Sequence, residues 1–377
     1  MSTPATRIGE PAVESHRRSW QAIDWYLVAA SLILLTAGLM SLYSIDAGHD
    51  SQHFSRQLVR LAIGVVPLLF FLWVGPRMLF RFSGLIYALN VLLLVLVLLI
   101  GREGGGAQRW IRLGPLEFQP SEMAKLLLVI TLAAFFARRS DSMKSFWTYV
   151  LSLVHLAVPL ALVFLQPHLG ASLVLLTAWL GVSLAAGMPT KFIVGTVLAA
   201  AALLGIALTV PGILKSYQKE RVYAMFGGDT KGSRWQTTKA QIAFGAGGLT
   251  GVGFLQGEQK EAGFVPEQHN DFIFTVVGEE GGFVGSVIVL SAFAFFFYRV
   301  WLIMVRVKTP FYRMIAAGIY SILAFHTIVN VGMNLELLPV VGLWLPFMSF
   351  GGTAIWLCLA CVGLLLNLRS RDEARTF

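Results

Sequence analysis

Apolar runs of about 18 to 25 residues recur along this chain, and each is long enough to cross a hydrocarbon core of ~30 Å. They fall near 24–44, 58–75, 82–100, 121–137, 147–165, 170–187, 192–210, 271–298, 313–332 and 350–368. Polarity is continuous within a run rather than alternating, so the runs read as helices and not as strands of a membrane barrel. A chain of 377 residues that is 56% hydrophobic and 13% charged also lies outside the soluble globular range. The expected fold is an all-α polytopic membrane protein with about ten transmembrane helices and one large extracytoplasmic loop, near 211–270.

The net charge of +9 does not mark a nucleic-acid binder. Basic residues are spread over loop ends, with no single basic face and no interleaved aromatic platform. Their distribution sets orientation instead. With the N-terminus inside, the inner segments hold sixteen Lys and Arg and the short outer loops hold five, Arg56, Arg60, Arg102, Arg109 and Arg112. Both termini are therefore expected in the cytoplasm. Residues 1–23 read as a disordered cytoplasmic tail, 24–368 as the ten-helix membrane domain and 369–377 as a second tail. Cys358 and Cys361 lie inside the last run and read as small buried hydrophobes rather than a redox pair.

Charge inside or beside a membrane span is costly unless it is paired or used. The densest such cluster is FVPEQHNDFIFTVVGEEGG, which places Glu267, His269 and Asp271 at the start of the eighth run. Asn270 or Asp271 is a candidate helix N-cap. Alternatively, Asp271 is a carboxylate at the bilayer surface beside Glu267 and His269, the setting that suits a general base. In the fourth run Glu122 and Lys125, three residues apart, share one helix face. They read either as a self-neutralising pair or as an anion-binding lysine positioned by its glutamate. Arg109 and Arg112 precede them and suit phosphate contacts, or are solvated loop residues. His168 reads as a hydrogen-bonded loop residue, and His155 and His326 as packed within helices. Arg221 belongs to a basic stretch at the start of the long loop that is either a lipid-headgroup surface or a landing site for a lipid-linked pyrophosphate. The glycines of GAGGLTGVGFLQG lack the strand–helix setting of a nucleotide loop and read as tight turns or close approaches. The histidines show no zinc spacing. Mg²⁺ or Mn²⁺ bridging a carboxylate and a pyrophosphate fits the chemistry.

Several long motifs occur together and in order: FSRQLVRLAIG, GAQRWIRLGPLEFQPSEMAK, QPHLG, YQKERV, the stretch from GAGG to GGFVG, and NVGMNLELLPVVGLWLPFMSFGG. On these the chain resembles the SEDS family (shape, elongation, division and sporulation proteins), and within it the RodA type. The resemblance implies a ten-span peptidoglycan glycosyltransferase of the bacterial inner membrane. Such an enzyme polymerises lipid II into glycan strands on the extracytoplasmic side, beside a class B penicillin-binding protein that supplies the transpeptidase. It further implies that Asp271 is the catalytic residue, the base toward the acceptor 4-hydroxyl. Arg109, Glu122, Lys125 and Arg221 match the family's motif positions, and with Glu267 and His269 they are the candidate substrate-binding residues. His168 stands where the family often carries Asp. Two rival readings are a lipid II flippase, which would need polar residues through the full membrane depth, and a non-catalytic scaffold for the penicillin-binding protein.

Overall fold

The structure is a computed structural model that describes residues 23–47, 51–104, 107–113, 116–166, 168–209, 233–261 and 267–373. Ten helices stand where the apolar runs predict them. They are α1 (Trp25–Asp46), α2 (His53–Trp73), α4 (Ser83–Ile100), α5 (Pro120–Ala137) and α6 (Phe146–Leu165), followed by α7 (Leu169–Ala185), α8 (Thr190–Thr209), α11 (Ile273–Arg306), α12 (Pro310–Asn334) and α13 (Gly352–Glu373). Among the described residues eight of them are long and apolar enough to cross a membrane, and α7 and α8 contribute shorter apolar stretches. Short helices fill the connections: α3 (Pro76–Arg81), α9 (Ser233–Gly247) and α10 (Glu258–Glu261).

Burial separates a central group from a lipid-facing rim. The apolar windows of α5 and α13 are 83% and 89% buried, against 17% for α2 and 22% for α4. Proline at the first helical position opens α5 and α12, where the missing N–H costs nothing. The centre is sealed by small residues that let helices approach closely, as lipid-embedded bundles require. A Cβ on Gly318 of α12 would lie 2.5 Å from Val129 of α5.

Four findings depart from the sequence reading. First, the outer loop before α5 is a small antiparallel sheet, β1 (Arg102–Gly104), β2 (Ala107–Leu113) and β3 (Leu116–Phe118), in the order β1-β2-β3. Its strands are too short for an alternating pattern to be visible. Second, the chain does not leave the bundle at 369. Helix α13 runs on to Glu373, because Arg369 pairs with the buried Asp24 and Asp372 accepts from the Lys308 and Thr309 N–H groups. Asp24 also caps α1 through the Leu27 N–H (3.1 Å) and receives Arg299 at 2.8 Å. Third, neither Asn270 nor Asp271 caps α11; the cap position is Phe272, without a side-chain bond.

Fourth, α11 is broken at Gly282, whose φ of 61° and ψ of −158° belong to a region essentially confined to glycine. The glycine-rich loop docks into the break. Val252 and Gly253 donate to the Glu279 and Glu280 carbonyls, and Phe283 and Val284 donate back to Gly248 and Leu249. The close approach these glycines serve is therefore to another stretch of backbone. Around it the Glu279 carboxylate accepts the Gln259 and Lys260 N–H groups at 2.7 and 3.2 Å. Lys260 Nζ reaches Glu280 and Ser44 of α1 at 2.7 and 2.6 Å. A Cβ on Gly282 would lie 2.3 Å from the Gly251 nitrogen. Gly282→Ala is accordingly expected to cost at least about 1–3 kcal/mol from backbone strain alone, read as a lower melting temperature in detergent. An unchanged melt would mean that the loop and the break are not rigidly joined.

Candidate active site

The helix ends divide by charge. Arg138, Arg139, Arg299, Arg306, Arg369 and Arg371 gather where α5, α11 and α13 end. At the opposite face, where α5 and α13 begin and α12 ends, a cavity of ≈ 310 Å³ opens between α2, the sheet, the His168 turn and the turn before α11. It is lined by three carboxylates, Glu117, Glu122 and Asp271, by Arg60, Arg109 and His168, and by Trp110, Trp344 and the Phe350–Ala354 stretch.

Asp271 is held there by its backbone. The chain turns on Glu267, whose φ is 52°, and its carbonyl accepts the N–H of Asn270 and Asp271 at 2.9 and 3.1 Å. Three consecutive carbonyls are then fixed. That of His269 accepts Phe350 N–H (2.9 Å) and that of Asn270 accepts Ser349 Oγ (2.6 Å). That of Asp271 accepts both Asn330 and Asn334 Nδ2, each at 2.9 Å. These asparagines lie four apart on one face of α12 and are fully buried. A backbone anchored at this many points fixes where its side chain starts.

Glu122 sits in the first turn of α5, where the helix dipole favours an anion. Lys125 Nζ donates to its Oε1 and Oε2 at 2.8 and 2.7 Å and to His326 Nε2 at 3.0 Å. His326 in turn donates Nδ1–H to the Trp344 carbonyl (3.2 Å), and the Trp344 indole donates to Glu122 Oε2 (2.9 Å). The loop closes on itself, with the two rings stacked 4.0 Å apart. Glu122 lines the cavity; Lys125, with no exposed surface, stands behind it.

The remaining candidates scatter. Arg109, on β2, lines the cavity and donates Nε–H to the Gln166 carbonyl (2.9 Å). Arg112 is an exposed partner of Glu117 at 3.8 Å. Glu267 points outward, 60% exposed, 3.9 Å from His269. The His269 ring stacks on His53 at 4.3 Å and meets Phe350 edge-on. Neither Glu267 nor His269 lines the cavity, so the two do not join Asp271 at one surface. Arg221 lies outside the described residues. Among those described, no group of three or more His, Cys, Asp or Glu is spaced to hold a metal ion.

Burial, and next the neighbouring His53, lower the proton affinity of His269, with Glu267 and Asp46 opposing and Arg60 adding to the effect. The fold thus binds this proton less readily than the unfolded chain, whose imidazole titrates near about 6.5. Stability from this contact is complete above that pH and is lost as pH falls through the lowered folded value. The melting temperature is expected to drop on acidification below about pH 6.5, and His269→Phe, which keeps a ring in the stack, is expected to flatten that drop. An equal drop in the variant would place the effect elsewhere.

Several residues at or beside the cavity are not among the sequence-predicted candidates. Arg60, which by sequence reads as one of the short outer-loop charges, lies inside α2. Asn330 and Asn334 are polar residues at helical spacing in an apolar run, a signal that was available. His168, read as a loop residue, faces the cavity beside Gln119, whose Nε2 is 3.3 Å from its Nδ1.

A polytopic helical bundle with a carboxylate- and arginine-lined cavity at one membrane face defines a class of integral membrane protein. The chain belongs to the FtsW/RodA/SpoVE family of cell cycle proteins, whose profile matches residues 21–374. It is 33% identical over 353 residues to the peptidoglycan glycosyltransferase MrdB of Escherichia coli K12, covering 93% of this chain and 94% of that one. It is 32% identical over 361 residues to a probable peptidoglycan glycosyltransferase FtsW of Thiomicrospira cyclica, 92% of each chain. Among solved structures, a chain from a peptidoglycan synthase complex that coordinates polymerization and crosslinking superimposes with a TM-score of 0.81. The two are 32% identical, over 94% of this chain and 99% of that one. Thermus thermophilus RodA gives 0.70 at 31% identity, over 94% and 98%.

Proposed function

We propose that this protein is a peptidoglycan glycosyltransferase that polymerises lipid II into glycan strands during cell elongation. The observation that carries the reading is Asp271, pinned through its backbone at the wall of a cavity that also holds two arginines. In the proposed transfer the acceptor 4-hydroxyl gives its proton to Asp271 as its oxygen bonds to the donor's anomeric carbon. The bond from that carbon to the phosphate oxygen breaks, and undecaprenyl pyrophosphate leaves with the electron pair. A base at the acceptor and cationic groups at the leaving group are what an inverting transfer requires.

The cavity face is the extracytoplasmic one. Arginines crowd the opposite helix ends, the pattern that marks the cytoplasmic side, and both termini belong there. The partner is a class B penicillin-binding protein, in keeping with the relative found in a peptidoglycan synthase complex. A divalent cation, Mg²⁺ or Mn²⁺, would take a cavity carboxylate. Of the three, Glu122 is the least suited to that role, since both its oxygens are engaged by Lys125 and one by Trp344.

The deciding experiment supplies lipid II to the purified protein with its partner, with Mg²⁺ or with EDTA. Long glycan strands are expected, in slower yield with chelator. Movement of lipid II across vesicle bilayers without polymer would replace this reading with a flippase.

A further inference from the structure

We infer that Arg60, with Phe350 and the start of α13, forms the subsite that holds the pyrophosphate group of the donor. The inference rests on the glycosyl-transfer reading and identifies which wall of the cavity takes the leaving group.

The cations at and beside the cavity differ in what already engages them; Arg112 is paired with Glu117. Lys125 is saturated by Glu122 and His326 and does not reach the cavity. Arg109 donates to the Gln166 carbonyl and is tied to the His168 turn. Arg60 lines the cavity with the Glu117 carboxylate acting on it from the same lining, yet its Nη1 is buried and has no hydrogen-bond partner. A buried polar group without an acceptor is costly, and more so when it is charged, so such a group calls for an acceptor that arrives with a ligand.

The surroundings hold this guanidinium ready. It lies 4.0 Å over the Phe350 ring, which fixes its plane and leaves its edge for donating. Its stem runs against Gly352, where an added Cβ would stand 3.5 Å from Arg60 Cδ. Gly352 is also the first residue of the 22-residue α13, and Gly351 to Ala354 line the same cavity. The positive end of that helix therefore adds to the arginine at one wall. A planar donor fork beside a helix N-terminus fits a phosphate group, and the cavity is large enough for a group of that size. The carboxylate of Asp271 would repel a pyrophosphate, and its role as base keeps it with the acceptor. The donor's phosphates go to the Arg60 wall, where the negative charge released by C–O cleavage is met.

The test measures binding to the purified complex through tryptophan fluorescence, since Trp110 and Trp344 line the cavity. The probes are geranylgeranyl pyrophosphate, inorganic pyrophosphate and geranylgeraniol. Arg60→Gln is expected to weaken the lipid pyrophosphate at least about 30-fold, as loss of a buried charged partner does. Geranylgeraniol should bind unchanged. If inorganic pyrophosphate shows the same loss, the site reads the phosphates alone; if only the lipid form does, it reads both parts. Wild-type binding by Arg60→Gln overturns the assignment. Should that variant not fold, Arg60→Lys decides. It keeps the charge without the fork, so weaker binding supports the subsite and unchanged binding overturns it. Wild type that loses pyrophosphate binding on substitution of Arg60 but makes no polymer would leave the anion site standing and remove the glycosyltransferase reading.

Discussion

Asp271→Asn is expected to lower lipid II polymerisation by about 10²–10⁴-fold, the usual worth of a positioned general base, while the protein melts and binds its partner like wild type. The separation of rate from stability follows from how the turn is built. Asn330 and Asn334 hold the Asp271 carbonyl, not its carboxylate, and the cap position of α11 is Phe272. Asparagine keeps the side chain's size and removes its charge and its capacity to take a proton. A variant polymerising near the wild-type rate would show that the base lies elsewhere, and Glu117 and Glu122, the other carboxylates of the cavity, would be substituted next.

The second large effect concerns the buried pair behind the cavity. Lys125→Met leaves Glu122 charged, 2% exposed and supported only by the Trp344 indole; Glu122→Gln leaves the wholly buried Lys125 charged with His326 as its remaining partner. Removing one member of such a pair costs about 3–5 kcal/mol, whereas replacing both by groups of similar volume is often neutral. Each single variant is therefore expected to unfold well below wild type, and the double variant Glu122→Gln, Lys125→Met to recover most of the loss. Thermal unfolding in detergent measures this, and a double variant no better than the singles would refute the closed network. Turnover of the folded double variant then separates two roles. Polymer would confine the pair to holding Trp344 in place, and its absence would give the charges a part in the reaction.

How far the sequence could be read follows from what each signal depends on. Helix positions were legible because membrane thickness alone dictates run length, and all ten runs hold helices. Asp271 stands out in the sequence because ionisable residues are rare at such boundaries, and the structure adds that it lines the cavity. Spacing placed Glu122 and Lys125 on one face, but which of them meets the cavity depends on α12 and the loop after it, contributed from some 200 residues away. Arg60 was hidden for the opposite reason. Near the start of a run it looks like one more orienting charge, and only the packing of α2 against α13 shows its guanidinium under cover. The sheet before α5 and the break at Gly282 rest on backbone pairing between short segments, which leaves little periodic trace.

The pairing of Asp24 with Arg369 joins the first described turn of the chain to the last. Asp24 thus has one cationic partner on α11, Arg299, and one on α13, Arg369. The same final helix supplies Gly351 to Ala354 to the cavity and lies along α2. Without α13 the cavity would lack that wall. One helix thus both clasps the first span and walls the cavity, so the two ends of the described chain meet in the element that completes that wall.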